Sequence, residues 1–116
     1  MIYIIDDDEI MANCVARACE QIDTVKVFSD GITAIQALDE ELPQLIFLDI
    51  MLVGPDGFTF LNELASYADT SQVPVVIITS LDLAKQDLSA YGVVGILDKS
   101  VMLPQEIEDY ARKYCQ

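Results

Sequence analysis

The chain contains no histidine and no tryptophan, and only six of its residues are basic. Each absence removes a class of function. Without imidazole there is no Ser-His-Asp or Cys-His catalytic set, no histidine zinc ligand and no histidine phosphoacceptor within these residues. Any phosphohistidine involved must come from a partner. Six basic against twenty acidic side chains leave a formal charge of −14, and single-sign charge of this size repels phosphate backbones and anionic membrane surfaces. Direct binding to nucleic acid or to a membrane is therefore not expected. No apolar run approaches the roughly 20 residues that span a bilayer. Met1-Ile2-Tyr3-Ile4-Ile5 runs straight into Asp6 without a basic leader, so a cytoplasmic location is expected. Cys14, Cys19 and Cys115 show no CxxC spacing and read as small buried or half-exposed thiols of a reducing compartment.

What is present suffices for one globular domain over residues 1–116, with 53% apolar residues to fill a core. Short apolar runs at Ile2–Ile5, Val25–Phe28, Leu45–Leu48, Val73–Ile78 and Val93–Leu97 alternate with amphipathic stretches. Runs that are apolar at every position suit strands covered on both faces, as in a parallel sheet. The intervening segments show helical steps: Met11, Cys14, Val15 and Ala18; Ile32, Ile35 and Leu38; Phe60, Leu61, Leu64 and Ala68; a shorter set at Leu83, Leu88 and Tyr91; and Leu103, Ile107, Tyr110, Ala111 and Tyr114, with Pro104 in the first turn. Turn signals occupy the joints, among them Ser29-Asp30-Gly31 and Gly54-Pro55-Asp56-Gly57. Five strands and five helices in strict alternation predict a doubly wound α/β domain with right-handed crossovers. Its chemistry belongs beyond the carboxyl ends of the strands.

Those ends are rich in charge. The first strand runs into Asp6-Asp7-Asp8-Glu9, and the third ends at Asp49. Asp8 and Glu9 suit an N-cap and a first-turn carboxylate of the next helix. One cap needs one carboxylate, which leaves Asp6, Asp7 and Asp49 converging at neighbouring strand ends. Such carboxylates repel unless they share a cation or a proton. A hard divalent ion fits; Mg2+ takes oxygen ligands at about 2.0–2.1 Å and commonly bridges carboxylates to a phosphoryl group. Thr79 ends the fourth strand and Lys99 follows the fifth. Together these groups supply what aspartyl phosphate formation requires, because phosphoryl transfer is mostly positioning and neutralisation of the phosphoryl oxygens.

The set resembles the receiver domain of two-component response regulators. The resemblance covers nearly the whole chain: Ile4-Ile5-Asp6-Asp7-Asp8-Glu9, then Leu48-Asp49-Ile50-Met51-Leu52 with Asp56-Gly57, then Ile78-Thr79-Ser80, then Lys99. It implies a flavodoxin-like sheet of order 2-1-3-4-5. It also implies Asp49 as phosphoacceptor, Mg2+ held by Asp6, Asp7, Asp49 and the Met51 backbone carbonyl, Thr79 as switch hydroxyl and Lys99 as its charge partner. The donor would be a sensor histidine kinase, a phosphotransfer protein or a small acyl phosphate. The output would be partner binding or a homodimer through the face of the fourth helix, fifth strand and fifth helix. The protein would be no enzyme beyond slow self-dephosphorylation.

Three departures from the family pattern stand out. Ile96 occupies the place of the usual aromatic, so the signal is expected to travel by backbone or fourth-helix shifts. Ser100 replaces the proline that follows the family's lysine. Since a non-proline cis bond costs about 2.5–4 kcal/mol, either trans geometry or strain is expected there. The stretch from Thr79 to Lys99 is short, which predicts a short, shifted or partly unwound fourth helix. Met51 and Leu81 lie at positions from which family members orient the attacking water. Both are apolar, which predicts slow loss of the phosphoryl group.

Two other readings compete. A haloacid-dehalogenase-type phosphatase also has an apolar strand ending in Asp-x-Asp, which Asp6 and Asp8 would fit, with Asp6 as nucleophile. Glu9 stands where that family has Thr or Val, however, and the residues after Lys99 read as a helix rather than a strand with acidic ligands. A receiver that is never phosphorylated and serves as an interaction module would accommodate Ile96 and Ser100. It gives no reason for repelling carboxylates to assemble.

Overall fold

The computed structural model describes residues 1–51, 57–80 and 88–115. In chain order the elements are β1 (Ile2–Ile5), α1 (Glu9–Glu20), β2 (Val25–Phe28), α2 (Gly31–Leu38), β3 (Leu45–Asp49), α3 (Gly57–Ala65), a 3-10 turn (Thr70–Gln72), β4 (Val75–Thr79), a second 3-10 turn (Ser89–Tyr91), β5 (Val93–Asp98) and α4 (Pro104–Tyr114). The strands form one parallel sheet in the order β2-β1-β3-β4-β5, as expected.

Alternate strand residues feed two cores. Tyr3, Ile5, Ile46, Leu48, Val75 and Ile77 pack beneath α2 and α3 with Leu38, Phe60 and Leu64. On the other face Ile2, Ile4, Leu45, Phe47, Val76 and Ile78 pack beneath α1 and α4 with Val15, Cys19, Ile107 and Ala111. Every residue of β1, β3 and β4 is buried, which is why these strands read as unbroken apolar runs. The edge strands differ. β2 has the exposed Val27, and Val94 and Ile96 of β5 are 41% and 37% exposed.

Several boundaries and faces depart from the sequence reading. β4 begins at Val75 rather than Val73, because the Val73 N–H closes the 3-10 turn by donating to the Thr70 carbonyl and Pro74 has no N–H for a ladder. Cys14 of α1 faces solvent while Ala12 and Cys19 take the buried face. Ile32 and Leu103 are exposed, and Ala68 lies beyond α3. Among the described residues there are four α-helices, so the expected count of five is not reached. The fourth helix was read from Leu83, Leu88 and Tyr91. Residues 81–87 lie outside the described residues, and Ser89–Tyr91 form a 3-10 turn. The helix counted fifth in the sequence is therefore α4 here. No helix among the described residues is long and apolar enough to cross a membrane.

Helix starts follow local chemistry. The Asp8 carboxylate accepts the Ile10 and Met11 amides at 3.0 and 3.3 Å, and Asp30 accepts the Thr33 amide at 2.7 Å. Gly57 opens α3 hard against β3: its N–H donates to the Ile50 carbonyl at 3.0 Å. A Cβ at Gly57 would lie 2.5 Å from Ile50 Cα. Only glycine permits that approach, and it packs the start of α3 against the residue that follows Asp49.

Candidate functional site

The carboxyl ends of β1, β3, β4 and β5 converge on one acidic pocket. β1 delivers Asp6, which is 5% exposed, with the Asp8 N–H donating to its Oδ1 at 2.9 Å. Asp7, the next residue, is exposed. β3 delivers Asp49, 3% exposed, whose Oδ1 accepts the Met51 N–H at 3.0 Å. One carboxylate oxygen from each of Asp6, Asp7 and Asp49 lies within 4.8 Å of the others.

Lys99 reaches this cluster from β5. Its Nζ stands 3.2 Å from Asp49 Oδ2 and 3.8 Å from Asp6 Oδ2, while its backbone N–H donates to the Thr79 carbonyl at 3.0 Å. Thr79 is fully buried at the end of β4, opposite Asp98 in the ladder. Met51, just beyond β3, has an exposed side chain. Among the described residues there is no cis peptide bond and no non-glycine residue of positive φ. Of the two outcomes expected for Lys99-Ser100, trans geometry is the one found.

The electrostatics show what the pocket favours. The Asp6 carboxyl is raised from 3.8 to about 6, first by burial and also by the Asp49 charge, against the opposing pull of the Asp8 amide and Lys99. One ammonium does not balance three carboxylates. The donors are all oxygens, they converge, and burial and mutual repulsion raise the energy of the ionised set. These properties fit a small hard cation with oxygen ligands.

Two hollows flank the pocket. One is lined by Asp6, Glu9, Asn13, Val27 and Ser29. The other lies between α1 and the start of α4 and is lined by Met11, Cys14, Lys99, Met102, Pro104 and Ile107. Of the residues singled out in the sequence, the structure brings Asp6, Asp7, Asp49 and Lys99 together, with Met51 beside them and Thr79 bonded through its backbone to Lys99. Asp56, Leu52 and Leu81 lie outside the described residues. What the reading missed is the way Asp98 and Ser100 hold the Lys99 turn; the Asp-x-Ser spacing was the available signal.

Against known proteins, residues 2–111 match the family model of the response regulator receiver domain. The chain belongs to that family. It is 37% identical over 82 residues, 70% of its length, to response regulator PleD of Caulobacter vibrioides, of which the match spans 18%. Among solved structures, the receiver domain of NtrX from Brucella abortus superposes with a TM-score of 0.81 at 24% identity, covering 97% of this chain and 98% of that one. The Mn2+-bound form of response regulator Rcp1 superposes with a TM-score of 0.75 at 23% identity, covering 97% and 88%. At these identities the structural likeness concerns the fold. The receiver family and its phosphoacceptor role in two-component signalling account for the acidic pocket.

Proposed function

We propose that this chain accepts a phosphoryl group on Asp49 from a sensor histidine kinase or a phosphotransfer protein. The observation that carries the reading is the Lys99 Nζ at 3.2 Å from Asp49 Oδ2, within an oxygen cluster of Asp6, Asp7 and Asp49. An Asp49 oxygen attacks phosphorus as the bond to the donor nitrogen breaks, and the donor imidazole leaves. Lys99 holds Asp49 in orientation beforehand and neutralises phosphoryl charge afterwards. The Met51 amide, already on Asp49 Oδ1, fixes the carboxylate plane. Thr79 supplies the hydroxyl that answers the phosphoryl group. Mg2+, held by Asp6, Asp7, Asp49 and the Met51 carbonyl, would offset charge between the carboxylates and the phosphoryl oxygens. The Mn2+ of the Rcp1 form supports a divalent ion in such a pocket.

The hollow formed by Met11, Cys14, Met102 and Pro104 opens beside Lys99, and Ile10, Val101 and Leu103 are exposed. This apolar rim supports the approach of a protein donor. We assign residues 1–116 to a single receiver unit, cytoplasmic, with no catalysis beyond slow self-dephosphorylation. Its output runs through the exposed side of β5, where Val94 and Ile96 are uncovered. Binding an effector or a second copy there, without direct contact to nucleic acid, fits the acidic surface.

The test is incubation with Mg2+ and acetyl phosphate. Mass spectrometry is expected to show one added phosphoryl group on Asp49, beryllofluoride to shift amide resonances around Thr79 and Lys99, and Asp49→Asn to abolish both. A parent protein that takes up neither would mark an interaction module without phosphorylation.

A further inference from the structure

The turn bearing Lys99 is held by a device that replaces proline. Asp98 Oδ1 accepts the Ser100 N–H at 2.9 Å and the Ser100 hydroxyl at 2.7 Å. The Asp98 carbonyl accepts the Val101 and Met102 amides at 3.2 and 2.9 Å. Lys99 therefore sits between two fixed points: its own N–H is tied to Thr79 of β4, and the residue after it is clamped by the residue before it. We propose that Asp98 and Ser100 are positioning residues for phosphoryl acceptance, the Asp98 carboxylate clamping the turn so that the Lys99 ammonium is aimed at Asp49. This rests on the reading of Asp49 as phosphoacceptor.

The physical argument is one of freedom. A lysine side chain has four rotatable bonds, so its ammonium is placed only as well as its backbone is. Proline after the lysine would lock one backbone torsion near −65° and remove a donor. Ser100 does neither. It adds an N–H and a hydroxyl, and both donate to one Asp98 oxygen. Both Asp98 and Ser100 are exposed, so neither is there to fill the core. The Asp98 carboxyl lies below its ordinary range, first because of the Ser100 hydroxyl and then because of the Ser100 amide; the carboxylate is thus engaged in the clamp. The Asp-Lys-Ser order matters, because the acceptor must stand two residues before the donor with the functional lysine between them.

The experiment uses the full chain with acetyl phosphate and Mg2+. Asp98→Ala is expected to slow phosphorylation of Asp49 about five- to tenfold. Ser100→Ala, which loses only the hydroxyl bond, slows it about two- to threefold. Asp98→Asn, whose carbonyl still accepts both bonds, stays within about twofold of the parent. Mg2+ affinity should not fall in any of the three, because Asp6, Asp7 and Asp49 are untouched and a less well aimed ammonium competes less with the ion. In the metal-free protein the Met51 amide, bonded to Asp49, should shift in Asp98→Ala and not in Asp98→Asn. The proposal is overturned if Asp98→Ala matches the parent rate, if Asp98→Asn is as slow as Asp98→Ala, or if Mg2+ affinity falls in step with the rate. If the parent takes no phosphoryl group at Asp49, the underlying reading fails instead, and the metal-free Met51 shift still decides for or against the clamp.

Discussion

The Lys99 ammonium lies 3.2 Å from Asp49 Oδ2 across fifty positions of sequence, and 3.8 Å from Asp6 Oδ2. One cation thus offsets two carboxylates that are almost wholly buried. Removing it leaves buried charge without compensation, which is costly. Because Lys99 is itself partly solvated, Lys99→Met is expected to destabilise the metal-free protein by only about 1–2 kcal/mol in urea unfolding. The same variant should bind Mg2+ several-fold more tightly, since a competing positive charge is gone, and should accept phosphoryl groups far more slowly. Tighter metal binding with slower chemistry is the pattern to look for, by calorimetry and by acetyl phosphate kinetics.

Asp6 makes the metal-free protein sensitive to pH. Burial raises its carboxyl from 3.8 to about 6, so between those values the folded state holds a proton that the unfolded chain has lost. This group's contribution is therefore largest below about pH 4 and declines as pH rises to about 6. Asp6→Asn removes that penalty. At pH 7 in chelator it should be more stable than the parent by about 1–2 kcal/mol, the full shift being worth more before screening. The gain should vanish near pH 4, and added Mg2+ should stabilise the parent far more than the variant. Thermal melts across pH, with and without Mg2+, check each part.

Much of this site was legible because its residues end strands that are apolar on both faces. Ile2–Ile5 and Leu45–Asp49, covered on both sides, suit the inner strands of a parallel sheet, and their parallel pairing brings Asp6 and Asp49 to the same edge. The same logic failed at the edges. Val94 and Ile96 read as core and stand partly in solvent, since apolar character does not tell an inner strand from an outer one. Cys14 and Ile32 fit the helical period but lie off the buried arc, because small residues such as Ala12 and Ala34 take it. The Asp98 clamp was hidden for another reason: its partner two residues on is a serine, a residue that reads as an ordinary turn element until distances are known.

Gly57 offers a test of how the pocket is anchored. Its missing Cβ would fall 2.5 Å from Ile50 Cα and 2.8 Å from the Ile50 carbonyl oxygen, and backbone atoms cannot swing aside. Gly57→Ala should destabilise the protein by about 2–4 kcal/mol, as expected where tight packing is overfilled. Because Ile50 directly follows Asp49, Mg2+ affinity and phosphorylation should also weaken. A variant as stable as the parent would mean that α3 can shift without disturbing β3. Urea unfolding measures the cost.

Met51 is expected to set the lifetime of the phosphorylated state. Its side chain is 54% exposed and follows Asp49 by two residues, with its own amide on the Asp49 carboxylate. A thioether is a weak acceptor and no donor, so it cannot orient a water molecule for attack on an aspartyl phosphate. A phosphoryl half-life of many minutes or longer is expected for the parent. Met51→Asn supplies both a donor and an acceptor at that position and should shorten the half-life about tenfold, within the range that a positioned polar group contributes. Met51→Leu should leave it unchanged. The backbone carbonyl that would hold Mg2+ is common to all three, so Mg2+ affinity should be equal and the comparison isolates the side chain. Decay of the phosphorylated protein, followed by intact-mass spectrometry after removal of acetyl phosphate, gives the three rates. A parent half-life of seconds, or equal rates for Met51→Asn and Met51→Leu, would show that water is oriented by some other group.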